Sequence, residues 1–416
     1  MRSRATFGCG GLHGRQFTTR RPPDARGETR LIAALLTVGL AAPCTFSGVG
    51  GPPRVDLVTI APGDDLFSSM GHTALVFSGG GLEAPVSFDW GAYDHTRSDL
   101  LPAFLTGELP YFLNVQDLSL LEARTRMQDR TAVAQRLDLD ESAVRALFER
   151  TRVEAAPENR AYTYHWADAN CATRARDALD TATGGALRTA MSGPTETTPR
   201  FEAGRHLWRW PVPAFAWRFI TSRRLDVPLT EWERAMVPEH LMRSVGAVEL
   251  GGRPFARDTC TLTEGAHGWA PSTPPASWPW GLPGLTGVLA LGAAVGTGRM
   301  RLAGGLVALC GAILCAIGVP SLLLWCASDV EGIGPTENWL IAGPQSIALV
   351  WAGLVMARGR VPGRVTAGVA GLVGLVGLGV LACDAVGTGQ ANGDIVLALL
   401  PGLLASCTTV LWAHRH

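Results

Sequence analysis

The chemistry this chain could perform starts from a cysteine and a histidine. Cys171 follows Asn170, a good helix N-cap, at the head of a helical run over 171–180 that Gly184 and Gly185 stop. N–H groups in a first helical turn lack intrahelical partners and carry the positive end of the helix dipole. They favour a thiolate there and can stabilise an oxyanion formed when the sulfur attacks a carbonyl. A thiol nucleophile needs a base, usually histidine. His72 lies between Gly71 and the apolar run 73–77, where a strand could project its ring. The pair fits acyl chemistry. A second reading stays open on the same residues. Of nine cysteines, only Cys171 and Cys260 fall in the soluble part outside the N-terminal region, and an oxidising compartment could join them as a disulfide.

The elements that would hold these residues are legible nearby. Runs at 55–60, 72–77 and 86–90 are β-branched and aromatic, separated by Pro-Gly-Asp-Asp and Gly-Gly-Gly, and predict short antiparallel strands. Asp140 can cap a helix carrying Val144, Leu147, Phe148 and Thr151 at helical spacing. A further strand is expected over 161–166 and helix after Pro228 within 225–245.

Charge divides the chain in two. The 36 basic residues, all arginine, balance 36 acidic ones, and no basic stripe suggests nucleic acid. Only 11 charged side chains fall in 281–416. Five uncharged stretches there, 280–298, 302–328, 338–357, 365–383 and 395–413, are long enough to cross a hydrocarbon core. Trp278, Trp280, Trp325, Trp339 and Trp412 lie near their ends, as an aromatic belt requires. Arginines follow the first, third and fifth stretches. Acidic residues without arginine follow the second and fourth, so the positive-inside rule places the preceding domain outside the cytoplasm. Seven arginines up to Arg30 and the apolar run 31–42 read as a signal sequence, cleaved near Gly39 and Ala41, or as an uncleaved anchor. The span interiors carry no ionisable group, which argues against ion-coupled transport. Glycines at 368, 371, 374 and 377 read as helix packing.

Several spaced motifs resemble a known family. Gly71-His72-Thr73 on a strand, followed later by Asn170-Cys171 opening a helix, resembles the circularly permuted papain-like fold, in an order shared with lecithin:retinol acyltransferases. Residues 54–250 more closely resemble the periplasmic domain of Lnb-type bacterial lipoprotein N-acyltransferases. The matching pieces are Gly71-His72-Thr73, the run from Phe88 to Tyr93, Phe104 to Gly107, Tyr111-Phe-Leu, Tyr162-Thr-Tyr164, Asn170 to Arg174 with Arg176-Asp177, and Asp226 to Trp232. The run from Asn338 to Pro344 resembles the family's membrane signature. The resemblance implies Cys171 as nucleophile and His72 as its base. Cys171 would take an acyl group from a phospholipid or lipoprotein and pass it, through a thioester, to the N-terminal amine of a lipoprotein acceptor.

A third polar group often orients such a histidine. Asp89 is the first candidate. His165 is the second, standing where the resemblance would place an acidic residue. Arg174 and Arg176 are candidates for lipid phosphate, with solvated helix faces as the alternative, and Tyr164 reads as packing. The expected architecture is α+β: a signal or anchor over 1–50, a permuted papain-like extracytoplasmic domain over 51–270, a linker over 271–280 and an all-α five-helix membrane domain over 281–416. The expected setting is the inner membrane of a bacterium. No metal-ligand spacing or nucleotide-binding glycine loop is present, so no cofactor is expected. Two rival functions remain: a cell-wall peptidase or amidase with the same nucleophile, and a non-enzymatic envelope protein stapled by Cys171–Cys260.

Overall fold

The structure, a computed structural model, describes residues 44–94 and 96–416. The predicted apolar signal run and its cleavage residues Gly39 and Ala41 lie outside the described residues.

Seven strands pair into one antiparallel sheet: β1 (Arg54–Ile60), β2 (His72–Ser78), β3 (Val86–Ala92), β4 (Pro110–Asp117), β5 (Ala132–Leu137), β6 (Ala161–Thr163) and β7 (Ala256–Thr263). Their spatial order is β6-β4-β3-β2-β1-β5-β7. Side chains alternate between the two faces of a strand, and both faces here are covered, so the central strands bury consecutive residues rather than every second one. Val55, Leu57, Leu75, Phe77, Phe88 and Trp90 point to one face. There they meet α3 (Glu141–Glu154) and α4 (Cys171–Ala182). Val58, Ile60, Ala74 and Val76 point to the other, against Leu118 and Leu121 of α2 (Leu118–Met127), which follows the short α1 (Leu100–Thr106). Asp140 caps α3 as its sequence predicts, accepting from the Ala143 N–H. Burial of aliphatic side chains at about 1.5–3 kcal/mol each makes these two layers the main source of the domain's stability.

Three expectations need correction. The strand over 161–166 stops at Thr163, because His165 leaves the sheet and bridges to Ala169 in a local turn. The helix expected after Pro228 forms, but in two pieces. Pro228 and Pro238 divide the segment into a 3₁₀ turn at Arg223–Asp226, a single helical turn at Glu231–Arg234 and a helix at Pro238–Ala247. The disulfide is between Cys44 and Cys260, and Cys171 is a free thiol. Cys260 lies on β7, at the sheet's edge, and Cys44 and Phe46 pack on the outer sheet face beside it. The chain thus joins the folded domain before residue 51.

The five membrane-length helical segments are Trp278–Gly296, Met300–Ala327, Asn338–Ala357, Arg364–Ala385 and Gly393–Arg415. The third is broken. A short helix, Asn338–Ile341, ends before Gly343-Pro344, and regular helix resumes at Ile347. A Cβ at Gly318 would overlap the Ala342 carbonyl, so the second helix approaches this break at a distance only glycine permits.

A segment with no sequence-based assignment fastens the two parts together. The helix Pro211–Ile220 buries Phe219 in the core of the membrane helices, and the Phe215 ring lies tilted against Trp280 at 4.6 Å. Asn338, fully buried, donates to the carbonyls of Arg218 and Phe219, and Gln390 donates to that of Thr221. Arg218 pairs with Asp394 at 2.7 Å. These contacts lie at the helix ends bearing the acidic loops. The sheet domain reaches the same loops through Asp329 N–H to the Thr106 carbonyl and Trp166 Nε1–H to the Glu331 carbonyl.

Candidate active site

Cys171 is the first residue of α4, and its neighbours fix it there. The Asn170 side-chain oxygen accepts from the N–H groups of Ala172 and Thr173, while the Thr173 hydroxyl accepts from the Asn170 N–H, a reciprocal capping box. The Asn170 amide also donates to the Trp166 and Met236 carbonyls at 2.6 and 3.0 Å. The cap therefore consumes two of the N–H groups that could have faced a substrate. Among the described residues, the Cys171 N–H makes no hydrogen bond.

His72 opens β2, paired with Ile60 of β1. Gly71 before it has φ +85, and a Cβ there would stand 2.8 Å from the Ile60 carbonyl oxygen, so the entry to the strand requires glycine. Asp89 is on β3, one strand over. Its Oδ1 lies 3.4 Å from Nε2 of His72, and its Oδ2 accepts from Asn114 at 3.2 Å and Gln116 at 2.9 Å. Both amides come from β4, where Asn114 is the direct partner of Asp89. This carboxylate is 2% exposed, yet three neighbours bond it and none is a fixed cation.

The two halves of the site meet over Gly91. With φ +102 at a bulge in β3, Gly91 presents bare backbone to both side chains. A Cβ on it would lie 3.5 Å from Cβ of Cys171 and 3.7 Å from Cε1 of His72. Cys171 comes from the helix on one sheet face, and His72 shares the other face with Ala74 and Val76. The glycine bulge is where they meet.

Electrostatics follow from this placement. Burial alone would lower the His72 pKa, but the Cys171 sulfur and the Asp89 carboxylate outweigh it and raise it to about 9. Burial works against the Asp89 carboxylate too, and the bond and charge of His72 overcome it to hold Asp89 below the usual range. Since Asp89 occupies Nε2, Nδ1 is the nitrogen left to serve Cys171.

All four tyrosines of the chain gather beside this constellation. Tyr111 stacks on Tyr164 at 4.3 Å and lies 5.2 Å from Tyr93 and 6.3 Å from Tyr162. Phe67 and Phe104 extend the wall. Burial pushes the Tyr111, Tyr162 and Tyr164 hydroxyls upward, so they stay protonated. The Tyr164 ring is packing, as the sequence suggests.

The remaining candidates are engaged by other partners. Arg174 places its guanidinium 4.7 Å over the Tyr162 ring. Arg176 is buried, paired with Asp177 at 2.8 Å, donating to the Trp232 carbonyl and stacked 4.0 Å over that indole. His165 does not approach His72. It faces Asp168 at 3.5 Å and Glu331 at 3.9 Å. Those three place possible ligand atoms within 4.8 Å of one another, but Nδ1 of His165 already accepts the Asp168 N–H and both carboxylates are exposed. Asn114 and Gln116 were not singled out from sequence. Their signal is two amides at period two in an otherwise apolar strand.

Residues 52–204 match the family model described as the Lnb N-terminal periplasmic domain. That stretch contains His72, Asp89, Gly91 and Cys171. No curated protein and no solved structure matches the chain.

Proposed function

We propose, for a chain that belongs to the Lnb-type family by its periplasmic domain and its five membrane-length helices, that it transfers acyl groups to lipoproteins through Cys171. The observation that carries this reading is the convergence of Cys171, His72 and Asp89 across a glycine bulge.

In the first half-reaction the Cys171 sulfur, whose proton His72 already holds, attacks the carbonyl of an acyl ester. The Cys171 N–H, left free by the capping box, faces the developing oxyanion. The C–O bond breaks, the alkoxide leaves with the proton from His72, and the acyl group remains as a thioester. In the second half the N-terminal amine of a lipoprotein attacks that thioester. His72 takes a proton from the amine, the C–S bond breaks, an amide forms and the sulfur leaves as thiolate. Asp89 holds the imidazole so that one nitrogen serves the sulfur throughout, and it offsets the imidazolium charge.

The setting supports a lipid substrate. The sheet domain contacts the loop bearing Asp329 and Glu331, and the end of the helix Pro211–Ile220 contacts the loop bearing Gln390, opposite the loops bearing Arg299, Arg301, Arg358 and Arg360. With the arginine loops in the cytoplasm, the site stands at the outer surface of the inner membrane. The test is mass spectrometry of lipoprotein N-termini in cells with this protein as sole candidate enzyme. Cys171→Ala should accumulate normally and leave the termini unacylated. Persistent N-acylation would refute the reading, and release of muropeptides from purified sacculi would point to a cell-wall hydrolase.

A further inference from the structure

The short helix α1 (Leu100–Thr106) carries no charge, and Gly107 ends it with φ +83. Its two sides face different surroundings. Ala103 is buried, and Phe104 packs inward, 5.9 Å from both Phe67 and Tyr164. Leu101 is 48% exposed, and Pro102 beside it is exposed as well. A single exposed leucine is ordinary on a protein surface, so exposure alone decides nothing.

Height decides it. The C-terminal end of α1 is tied to the end of the second membrane-length helix, Met300–Ala327. The Ser328 hydroxyl donates to the Leu105 carbonyl, the Asp329 N–H donates to that of Thr106, and Val330 packs on Gly107. Trp325 lies three residues before Ser328, about 4.5 Å along a helix, and its exposed ring packs against Trp339 of the next membrane-length segment at 5.5 Å. Tryptophans at span ends sit where hydrocarbon meets headgroups. The uncharged Leu101-Pro102 edge is therefore held at the level of lipid.

From α1 a line of rings runs to the nucleophile. Phe104 adjoins Tyr164, and Tyr164 stacks on Tyr111 at 4.3 Å. Cδ1 of Tyr111 lies 4.0 Å from the place a Gly91 Cβ would take, and Cβ of Cys171 lies 3.5 Å from the same place. A hydrocarbon chain laid along these rings keeps its apolar surface covered from the bilayer to the sulfur.

We infer that α1 inserts Leu101 and Pro102 into the bilayer surface, and that an acyl chain leaves the bilayer past this edge and reaches Cys171 along Phe104, Tyr164 and Tyr111. The inference rests on the acyl-transfer reading and adds to it a membrane-entry surface, whichever lipid carries the ester.

The test uses the full chain in nanodiscs of phosphatidylethanolamine and phosphatidylglycerol that also contain an N-acetylated diacyl lipopeptide, so that either kind of ester is present. p-Benzoylphenylalanine placed at position 101 should crosslink to lipid on irradiation, read as a lipid mass on its peptide. Absence of that adduct would overturn the insertion of α1 whatever the enzyme does. In the same discs the rate at which Cys171 gains an acyl mass should fall at least about tenfold in Leu101→Asp, the factor expected from withdrawing one leucine from hydrocarbon. A water-soluble acetyl thioester needs no passage out of the bilayer, and Leu101→Asp should accept acetyl from it as fast as wild type. Phe104→Ala should slow transfer from the bilayer more than transfer from the thioester. A Leu101→Asp variant that matches wild type on both donors, or loses both equally, would overturn the inference and leave the thiol reading standing. So would a wild type acylated by the thioester alone. A wild type acylated by neither donor would overturn the thiol reading and with it the route, while the crosslink would still decide where α1 lies.

Discussion

Asp89 reaches Nε2 of His72 from the adjacent strand, 3.4 Å away, and thereby fixes which imidazole nitrogen faces Cys171. The orienting residue is held in turn by Asn114 and Gln116 of the next strand. Three neighbouring strands thus set the angle of one ring, a rigidity that a loop-borne group would lack.

Asp89→Asn should separate orientation from folding through pH. In the folded protein His72 is raised to about 9 from an ordinary 6.5, so its protonation stabilises the fold. That contribution is complete below about pH 6.5 and is lost as pH rises through about 9. Replacing Asp89 removes its bond and its charge and moves the His72 value downward. The stability deficit of the variant should be largest on the acid side and shrink toward pH 9. Thioester formation at pH 7 should fall by a factor on the order of 10²–10⁴. Thermal melts and single-turnover acylation across pH measure both, and an unshifted profile would remove Asp89 from the site.

Thiol mapping tests the cysteine assignments. In the native protein without reductant, iodoacetamide should label Cys171, while a peptide containing Cys44 linked to Cys260 should appear in the digest. Cys260→Ser should cost about 2–5 kcal/mol. It should loosen the β7 edge while leaving Cys171 reactive. A linked Cys171 peptide would contradict the fold described above.

Gly91→Ala examines the meeting point of the site. There is room for a methyl group at 3.5 Å from Cys171, so the penalty comes from φ +102 rather than from overlap. About 1–2 kcal/mol of destabilisation is expected, as for a side chain forced into left-handed backbone. The bulge should also shift and slow acylation more than the stability loss accounts for. Activity measured well below the melting transition distinguishes the two.

Glu202→Ala should be more damaging than any of these to stability. This carboxylate is fully buried and accepts from Arg205 at 2.6 Å, His240 at 2.9 Å and Arg234 at 3.2 Å. Removing it breaks a buried ion pair and leaves Arg205 with Glu239 alone, at about 3–5 kcal/mol. Denaturant titration of detergent-solubilised protein provides the comparison with wild type.

Much of this molecule was legible because local chemistry announced it. Five long uncharged stretches have no other solution than crossing a bilayer, and the period and punctuation of 55–90 have no other solution than strands. Asn170 before Cys171 fixed a helix start, and Gly71 before His72 marked a strand entry. The helix Pro211–Ile220 was not legible, since it is apolar on a face whose partner, the membrane core around Phe219, lies far away in sequence. The break at Gly343-Pro344 was likewise hidden inside a run that hydropathy reads as continuous.

The residue types able to do chemistry, and the division into a soluble and a membrane part, were determined by sequence alone, because both rest on composition and near-neighbour spacing. Partners were decided only by the fold. Cys260 could have paired with Cys171, and the sheet gives it Cys44 because its edge strand lies beside the residues entering β1. His165 could have stood beside His72, and the strand pairing sets Asp89 there instead. Separation along the chain carries no information about such contacts. They depend on which strands pair, and in what register.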